Sequence, residues 1–259
     1  MGSWSPQLGQ AQGAASPKFK MPRGGRNGTT HRAGDQSAVP SPTMDCVYAL
    51  ASASSTARGV FGRWLSGLEG FVETIEILVF EDVEELDFVG PLEVFGTAAR
   101  LGADCQVTIT SEDGKPVRGR NGLKIIPDCP FDSLPPPAML IVPGGLGART
   151  HARANPRILQ LVRAQTGIVA SVCTGALILA AAGVLDNRPA TTHHSAFDML
   201  REYGRISVRE NERWTIEGTI ATSAGVSAGI DLALALVRSN WGAATAEAVA
   251  DHMEWNRTQ

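Results

Sequence analysis

The run Gly167-Ile168-Val169-Ala170-Ser171-Val172-Cys173-Thr174-Gly175-Ala176-Leu177-Ile178-Leu179-Ala180-Ala181-Ala182 decides how this chain is read. Its apolar start reads as a buried strand, and its Ala- and Leu-rich end as a helix closed by Gly183. Between them Cys173 occupies a sharp strand-to-helix turn, the geometry of a nucleophile elbow with Cys in place of Ser. The first free N–H groups of the helix point at such a residue, and with the helix dipole they favour a thiolate. The competing reading is structural, because free cysteine is among the most buried residue types.

Outward from the elbow, strands and helices alternate. Ile75-Glu76-Ile77-Leu78-Val79-Phe80 reads as a buried strand, and Pro91 to Leu101 as a helix with Pro91 in its first turn and Gly102 just past its end. Cys105 to Thr110, Lys124 to Pro127 and Ala138 to Val142 are further strands. Asn155 to Thr166 is a helix with Asn155 as N-cap and Pro156 at the first helical position. Arg205 to Arg209 and Trp214 to Ala221 read as strands, Ala228 to Arg238 and Ala243 to Trp255 as helices. This alternation predicts an α/β fold, a mainly parallel sheet with helices on both faces. Ligands in such folds bind beyond the C-terminal ends of the strands. The loop after Phe80, the Pro143-Gly144-Gly145 turn and Cys173 all fall there.

Residues 1–72 differ in kind from residues 73–259. They are rich in Gly, Ser, Pro, Ala and Arg, and up to Met44 hold Asp35 against Lys18, Lys20, Arg23, Arg26 and Arg32. Such a composition cannot bury enough apolar surface to offset chain entropy, so a disordered extension is expected. An acid-poor, Arg- and Ser-rich start also resembles an organelle transit peptide; the plainer readings are a dispensable tail or an early start codon with Met44 as a later one. Val60 to Leu65 reads as a short helix. The formal net charge is -3 and 43% of residues are hydrophobic, which suits one sizeable core and gives no pull toward nucleic acid or membrane. Cys46, Cys105, Cys129 and Cys173 form no CxxC pair and no metal-ligand spacing with His. Reduced thiols in a cytoplasmic protein are the expectation, and no apolar run reaches the length of a membrane span.

Three features could join Cys173 in chemistry. Asp87 lies among Leu86 and Phe88-Val89-Gly90-Pro91-Leu92. A carboxyl in that setting has a raised pKa and can work as general acid or base beside a thiol; otherwise it caps the helix near Pro91. In Pro143-Gly144-Gly145-Leu146-Gly147 the glycines let backbone N–H groups approach a ligand, and with the N–H of Thr174 they could form an oxyanion-type donor set. Most such turns are only turns, and this one lacks a P-loop lysine. In Ala190-Thr191-Thr192-His193-His194 a histidine could serve Cys173 as base or make a structural hydrogen bond. Asp231, on the helix after the small-residue loop Thr222 to Gly229, reads as structural.

Taken in order, Glu85-Leu86-Asp87-Phe88-Val89-Gly90-Pro91-Leu92-Glu93-Val94-Phe95, Ile141-Val142-Pro143-Gly144-Gly145, Ser171-Val172-Cys173-Thr174-Gly175, Ala190-Thr191-Thr192-His193 and Ala228-Gly229-Ile230-Asp231 resemble the PfpI-type, class I glutamine-amidotransferase-like superfamily, and within it the isocyanide (isonitrile) hydratase branch. The resemblance covers about residues 74 to 256. It implies a flavodoxin-like α/β sandwich, a homodimer, and a small-molecule substrate handled without metal or organic cofactor. Carried over by position, Cys173 is the nucleophile, Asp87 its acid/base partner and Thr174 a donor near the sulfur. Gly144 and Gly145 supply the turn facing Cys173, and His193 joins them around the substrate.

The departures discriminate among branches. The protease-like branch has His directly after the cysteine, where this chain has Thr174, and no late His-x-Glu of a glutaminase triad is found. The transcription-regulator branch carries a helix-turn-helix after this domain, and the chain ends at Gln259, too early for one. His194 stands where the hydratase branch often has a bulky aromatic. The resemblance therefore implies a hydro-lyase converting an isocyanide into an N-substituted formamide through a Cys thioimidate. A cofactor-free glyoxalase and a non-catalytic binding or thiol-sensing domain are the alternatives.

Overall fold

The computed structural model of the chain describes residues 72–255. All but the last residue of the expected extension, with the Val60 to Leu65 helix and Cys46, lies outside the described residues.

A seven-stranded sheet forms the centre. Its strands are β1 (Glu73–Leu78), β2 (Cys105–Ser111), β5 (Cys129–Pro130), β6 (Met139–Val142), β7 (Ile168–Ser171), β10 (Trp214–Glu217) and β11 (Ile220–Ser223), in the order β10-β11-β7-β6-β1-β2-β5. Every pairing is parallel except the β10–β11 hairpin. Two short pairs stand apart: β3 (Val117–Arg118) with β4 (Lys124–Ile125), and β8 (Pro189–Ala190) with β9 (Ser207–Val208). Ile75, Ile77, Leu78, Leu140, Ile141, Val169 and Ala170 are buried, the near-continuous apolar strands that a sheet covered on both faces requires.

One helical layer contains α1 (Glu85–Arg100), α6 (Ala228–Trp241) and α7 (Ala243–His252), in mutual contact. The other is built around α2 (Leu146–Arg149), α3 (Pro156–Ala164), α4 (Gly175–Ala181) and α5 (Phe197–Arg201). This is the flavodoxin-like sandwich expected. Asn155 caps α3 as read, its Oδ1 accepting the Arg157 N–H at 2.9 Å with Pro156 beside it. Among the described residues no helix is long and apolar enough to cross a membrane.

The expected strands Lys124 to Pro127 and Arg205 to Arg209 shrink to β4 and β9, outside the central sheet, and two further elements differ in kind. The first helix begins at Glu85, not near Pro91, and carries Pro91 in its interior. An interior proline forfeits one backbone hydrogen bond, here the one to the carbonyl of Asp87. Tight packing compensates: Phe88, Gly90 and Pro91 are buried, and a side chain at Gly90 would come within 2.9 Å of Ile230 on α6. The expected strand Trp214 to Ala221 is instead a hairpin that turns at Gly218, φ +61°. The alternation of apolar residues continues across the turn and hides the break.

Glu76 is 2% exposed in the middle of β1, and its Oε1 accepts a 2.6 Å hydrogen bond from Thr110 Oγ1. Burial pushes its carboxyl above the usual range, outweighing the threonine. A carboxyl whose folded pKa is raised gives a stability that is full below the unfolded pKa and falls as pH rises through the folded one. Glu76→Gln is therefore expected to gain about 1 kcal/mol relative to the parent at pH 8 and much less at pH 4. Urea denaturation of both proteins at the two pH values measures this; an equal or lower stability of the variant at pH 8 contradicts it.

Candidate active site

Four neighbouring strands, β11, β7, β6 and β1, present their C-terminal ends side by side, and each delivers one part of the site. After β7 the chain turns at Cys173, φ +57°, and enters α4 with Thr174 as N-cap. Left-handed backbone is uncommon for a side-chain-bearing residue and persists when neighbours over-determine it. Here the Cys173 N–H lies 3.2 Å from the Ser223 carbonyl and 3.1 Å from that of Ala224, and its own carbonyl accepts from Thr192 Oγ1 at 2.8 Å. The elbow is thus pinned from two sides.

The loops after β1 and β6 are joined to each other. Glu84 N–H donates to the Gly144 carbonyl at 3.0 Å, and Val83 and Gly145 form an isolated antiparallel bridge. That junction sets the first turn of α1 against the Gly144-Gly145 turn. Asp87, fully buried, accepts the Gly144 N–H on Oδ2 at 3.0 Å, and its Oδ1 has no hydrogen-bond partner. Asp87 is thus no helix cap: its carboxyl points across to another loop and not back at its own helix.

Asp87 and Cys173 lie close enough to set each other's protonation. Burial raises the Asp87 carboxyl to about 7, against the opposing pull of Gly144 N–H and the Cys173 side chain. Burial, and then the Asp87 charge, push the Cys173 thiol up to about 12. That direction runs against the expectation of a thiolate favoured by the helix. The N–H groups of Thr174 and Val226 do pull the thiol down, but in a site this dry they are outweighed. Burial thus favours the protonated form of both groups.

Gly144 and Gly145 also depart from expectation. The Gly144 N–H is taken by Asp87, and the Gly145 N–H donates to Thr174 Oγ1 at 2.9 Å, while that hydroxyl returns a bond to the Gly145 carbonyl at 3.1 Å. Both amides are committed inside the protein, so they brace the acid and the threonine and do not form an oxyanion-type donor set. Gly145 has φ +125°, which itself calls for glycine.

His193 is half-buried beside this machinery. Its Nδ1 is engaged by Ser195, and its ring lies over Gly225, where a side chain would overlap it. Burial first, then His194 and Arg149, lower its pKa. His193 Nδ1 is taken by Ser195 and neither ring nitrogen is hydrogen-bonded to Cys173, which favours Asp87 over the histidine as its partner. Asp231 is structural as read, accepting from Arg213 and, at 3.1 Å, from Trp255 Nε1. Among the described residues no group of three or more His, Cys, Asp or Glu could hold a metal ion.

Sequence reading missed Val226. This β-branched residue sits at φ +48°, and its N–H bears on both the Asp87 carboxyl and the Cys173 sulfur. The contribution is from the backbone, so residue type could not announce it; the flanking Gly225 was the available signal.

Residues 73–239 match the DJ-1/PfpI family, and the chain belongs to it. It is 36% identical over 184 residues to the isonitrile hydratase of Pseudomonas putida, spanning 70% of this chain and 78% of that protein. It is 33% identical over 177 residues to the HTH-type transcriptional regulator CdhR of Pseudomonas aeruginosa, spanning 66% of this chain and 52% of that one. Among solved structures it is similar to a THiJ/PfpI family protein from Pseudomonas syringae, with a TM-score of 0.66 and 28% identity over 82% of this chain and 85% of the other.

Proposed function

We propose that this protein is a cysteine-dependent isocyanide hydratase, a hydro-lyase that converts R–NC and water into R–NH–CHO. One observation carries the reading: Cys173, held at φ +57° at the head of α4, shares a buried site with the Asp87 carboxyl, whose Oδ1 has no hydrogen-bond partner and is open to take and give a proton. Isocyanide carbon must receive both a nucleophile and a proton, and a thiol beside a carboxyl supplies both. Sulfur attacks the terminal carbon while Asp87 carries the thiol proton to the same carbon, giving the thioimidate R–N=CH–S–Cys173. Water then adds to that carbon, and Asp87 passes a water proton to nitrogen. Collapse breaks the C–S bond, returns the hydroxyl proton to sulfur and releases the formamide. A carboxyl titrating near the working pH is suited to moving a proton in both directions. Thr174 holds the Gly145 side of the turn, and no step calls for a metal or organic cofactor. The likeness to isonitrile hydratase supports the reading, as does Thr174 where a cysteine protease of this superfamily would place His.

In this reading the protein acts on a small molecule as a cytoplasmic homodimer, with no nucleic-acid or membrane partner. Formamide production from an alkyl isocyanide, followed by chromatography, is the test. Cys173→Ala is expected to lower kcat by at least about 10⁴-fold, since the covalent route is closed; turnover retained in the variant overturns the mechanism. The likeness to CdhR favours a second reading, a binding or thiol-sensing domain, which predicts ligand binding or Cys173 oxidation with no formamide. Turnover of methylglyoxal and of no isocyanide would instead point to a glyoxalase.

A further inference from the structure

Outside the Cys173–Asp87 pair, a directional hydrogen-bond chain runs from α2 to the edge of the site. Arg149 Nη2 donates to Ser195 Oγ at 2.7 Å, and Ser195 Oγ lies 2.9 Å from His193 Nδ1. The Ser195 N–H also donates to His193 Nδ1, at 3.2 Å. Arginine has donors only, so Ser195 Oγ accepts from it and has its own hydrogen to give. Two donors then converge on Nδ1, which must offer its lone pair. The ring proton is left on Nε2.

The ring's place gives that proton a use. Thr192, the preceding residue, holds the Cys173 carbonyl, and the ring lies on Gly225, next to the Val226 whose N–H bears on the thiol. Nε2 makes no hydrogen bond to any described residue, whereas Nδ1 is doubly engaged. Arg149 also keeps a positive charge near the ring, so a second ring proton is disfavoured.

Resting on the hydratase reading, we infer that His193 is a fixed Nε2–H donor that selects substrates carrying a hydrogen-bond acceptor near the reacting carbon, and that Arg149 and Ser195 are positioning residues that set its tautomer. The substrate class follows: isocyanides with an ether, carbonyl or carboxylate oxygen close to the –NC group, in preference to plain alkyl isocyanides of the same size.

Two measurements on the full chain test this separately. Long-range ¹H–¹⁵N spectra of histidine-labelled protein, assigned with His193→Gln, read the tautomer without any substrate. The expected result is Nε2–H in the parent, a mixture in Ser195→Ala and Arg149→Met, and recovery in Ser195→Thr, which keeps the hydroxyl. A parent ring protonated on Nδ1, or a tautomer unchanged by Ser195→Ala, overturns the relay. Kinetics then compare a methoxyalkyl isocyanide with the alkyl isocyanide of equal length. The parent is expected to prefer the ether about tenfold in kcat/KM, and Ser195→Ala to lose that preference through KM. Equal preference in parent and variant overturns the selection role. If no isocyanide is turned over, the hydratase reading fails on its own account and the spectra still decide the relay.

Discussion

Asp87→Asn is expected to lower isocyanide turnover by orders of magnitude and, in the same protein, to raise stability at pH 8. The two effects have one origin. Asp87 is fully buried, with one hydrogen bond to Oδ2 and none to Oδ1, and its pKa is raised from 3.8 to about 7. A carboxyl raised in this way stabilises the fold least where it is ionised: its contribution is whole below the unfolded pKa and is lost as pH climbs through about 7. Asparagine keeps the acceptor for Gly144 N–H and removes the charge, so the gain at pH 8 is on the order of 2–4 kcal/mol and shrinks toward pH 4. Turnover falls by roughly 10²–10⁴-fold, the range for loss of a positioned acid–base group. Thermal melts across pH and formamide assays on one preparation measure both. A variant that is active, or less stable than the parent at pH 8, contradicts the account. The charge on Asp87 also raises the Cys173 thiol, so thiol alkylation in the variant is expected to begin at lower pH than in the parent.

The other large effect is expected at Gly144. A methyl group there would lie 2.5 Å from the Thr174 nitrogen, 2.6 Å from Thr174 Oγ1 and 2.8 Å from Asp87 Oδ2. None of these can move cheaply: the first is backbone at the head of α4, and the other two belong to the bracing bonds of the site. Gly144→Ala is therefore expected to cost about 1–3 kcal/mol through overpacking and at least about 10²-fold in kcat/KM through displacement of the acid. Gly183→Ala is the control. Gly183 has φ +78°, and a methyl group there would meet nothing within 4 Å, so the substitution costs backbone strain of about 1 kcal/mol and leaves turnover intact. Equal activity losses in the two variants would show that Gly144 matters only for folding.

What could be read from sequence, and what could not, divides along physical lines. The elbow was legible because a short apolar strand, a Cys-Thr-Gly turn and an Ala-rich helix are all local signals. Asp87 was legible as an acid in apolar company, though not as a residue inside α1, because Pro91 looked like a helix start and the packing of Gly90 on Ile230 that offsets it is long-range. The protonation of Cys173 was not legible. The helix N–H groups near it are local, whereas the burial and the carboxyl that outweigh them come from other segments. The two glycine amides were likewise visible as donors but not as donors already taken. Arg149 and Ser195 gave no signal, since a relay between a short helix and a turn far along the chain has no spacing to recognise.

The pinning of Cys173 by Ser223 and Ala224 has a consequence for the order in which the molecule matures. Synthesis delivers Asp87 first, then Gly144, then Cys173, and only much later the strand β11 and the Val226 loop that close over them. Until β11 docks beside β7, the Cys173 amide lacks both of its carbonyl partners, and the carboxyl of Asp87 is wetted by solvent and as acidic as any other aspartate. Until that docking the thiol keeps its ordinary acidity, and the dry surroundings that raise both groups arise only once β11 and the Val226 loop are in place. The growing polypeptide thus carries an ordinary cysteine and an ordinary aspartate past the ribosome exit, and the two come under each other's influence only when the late segments close around them.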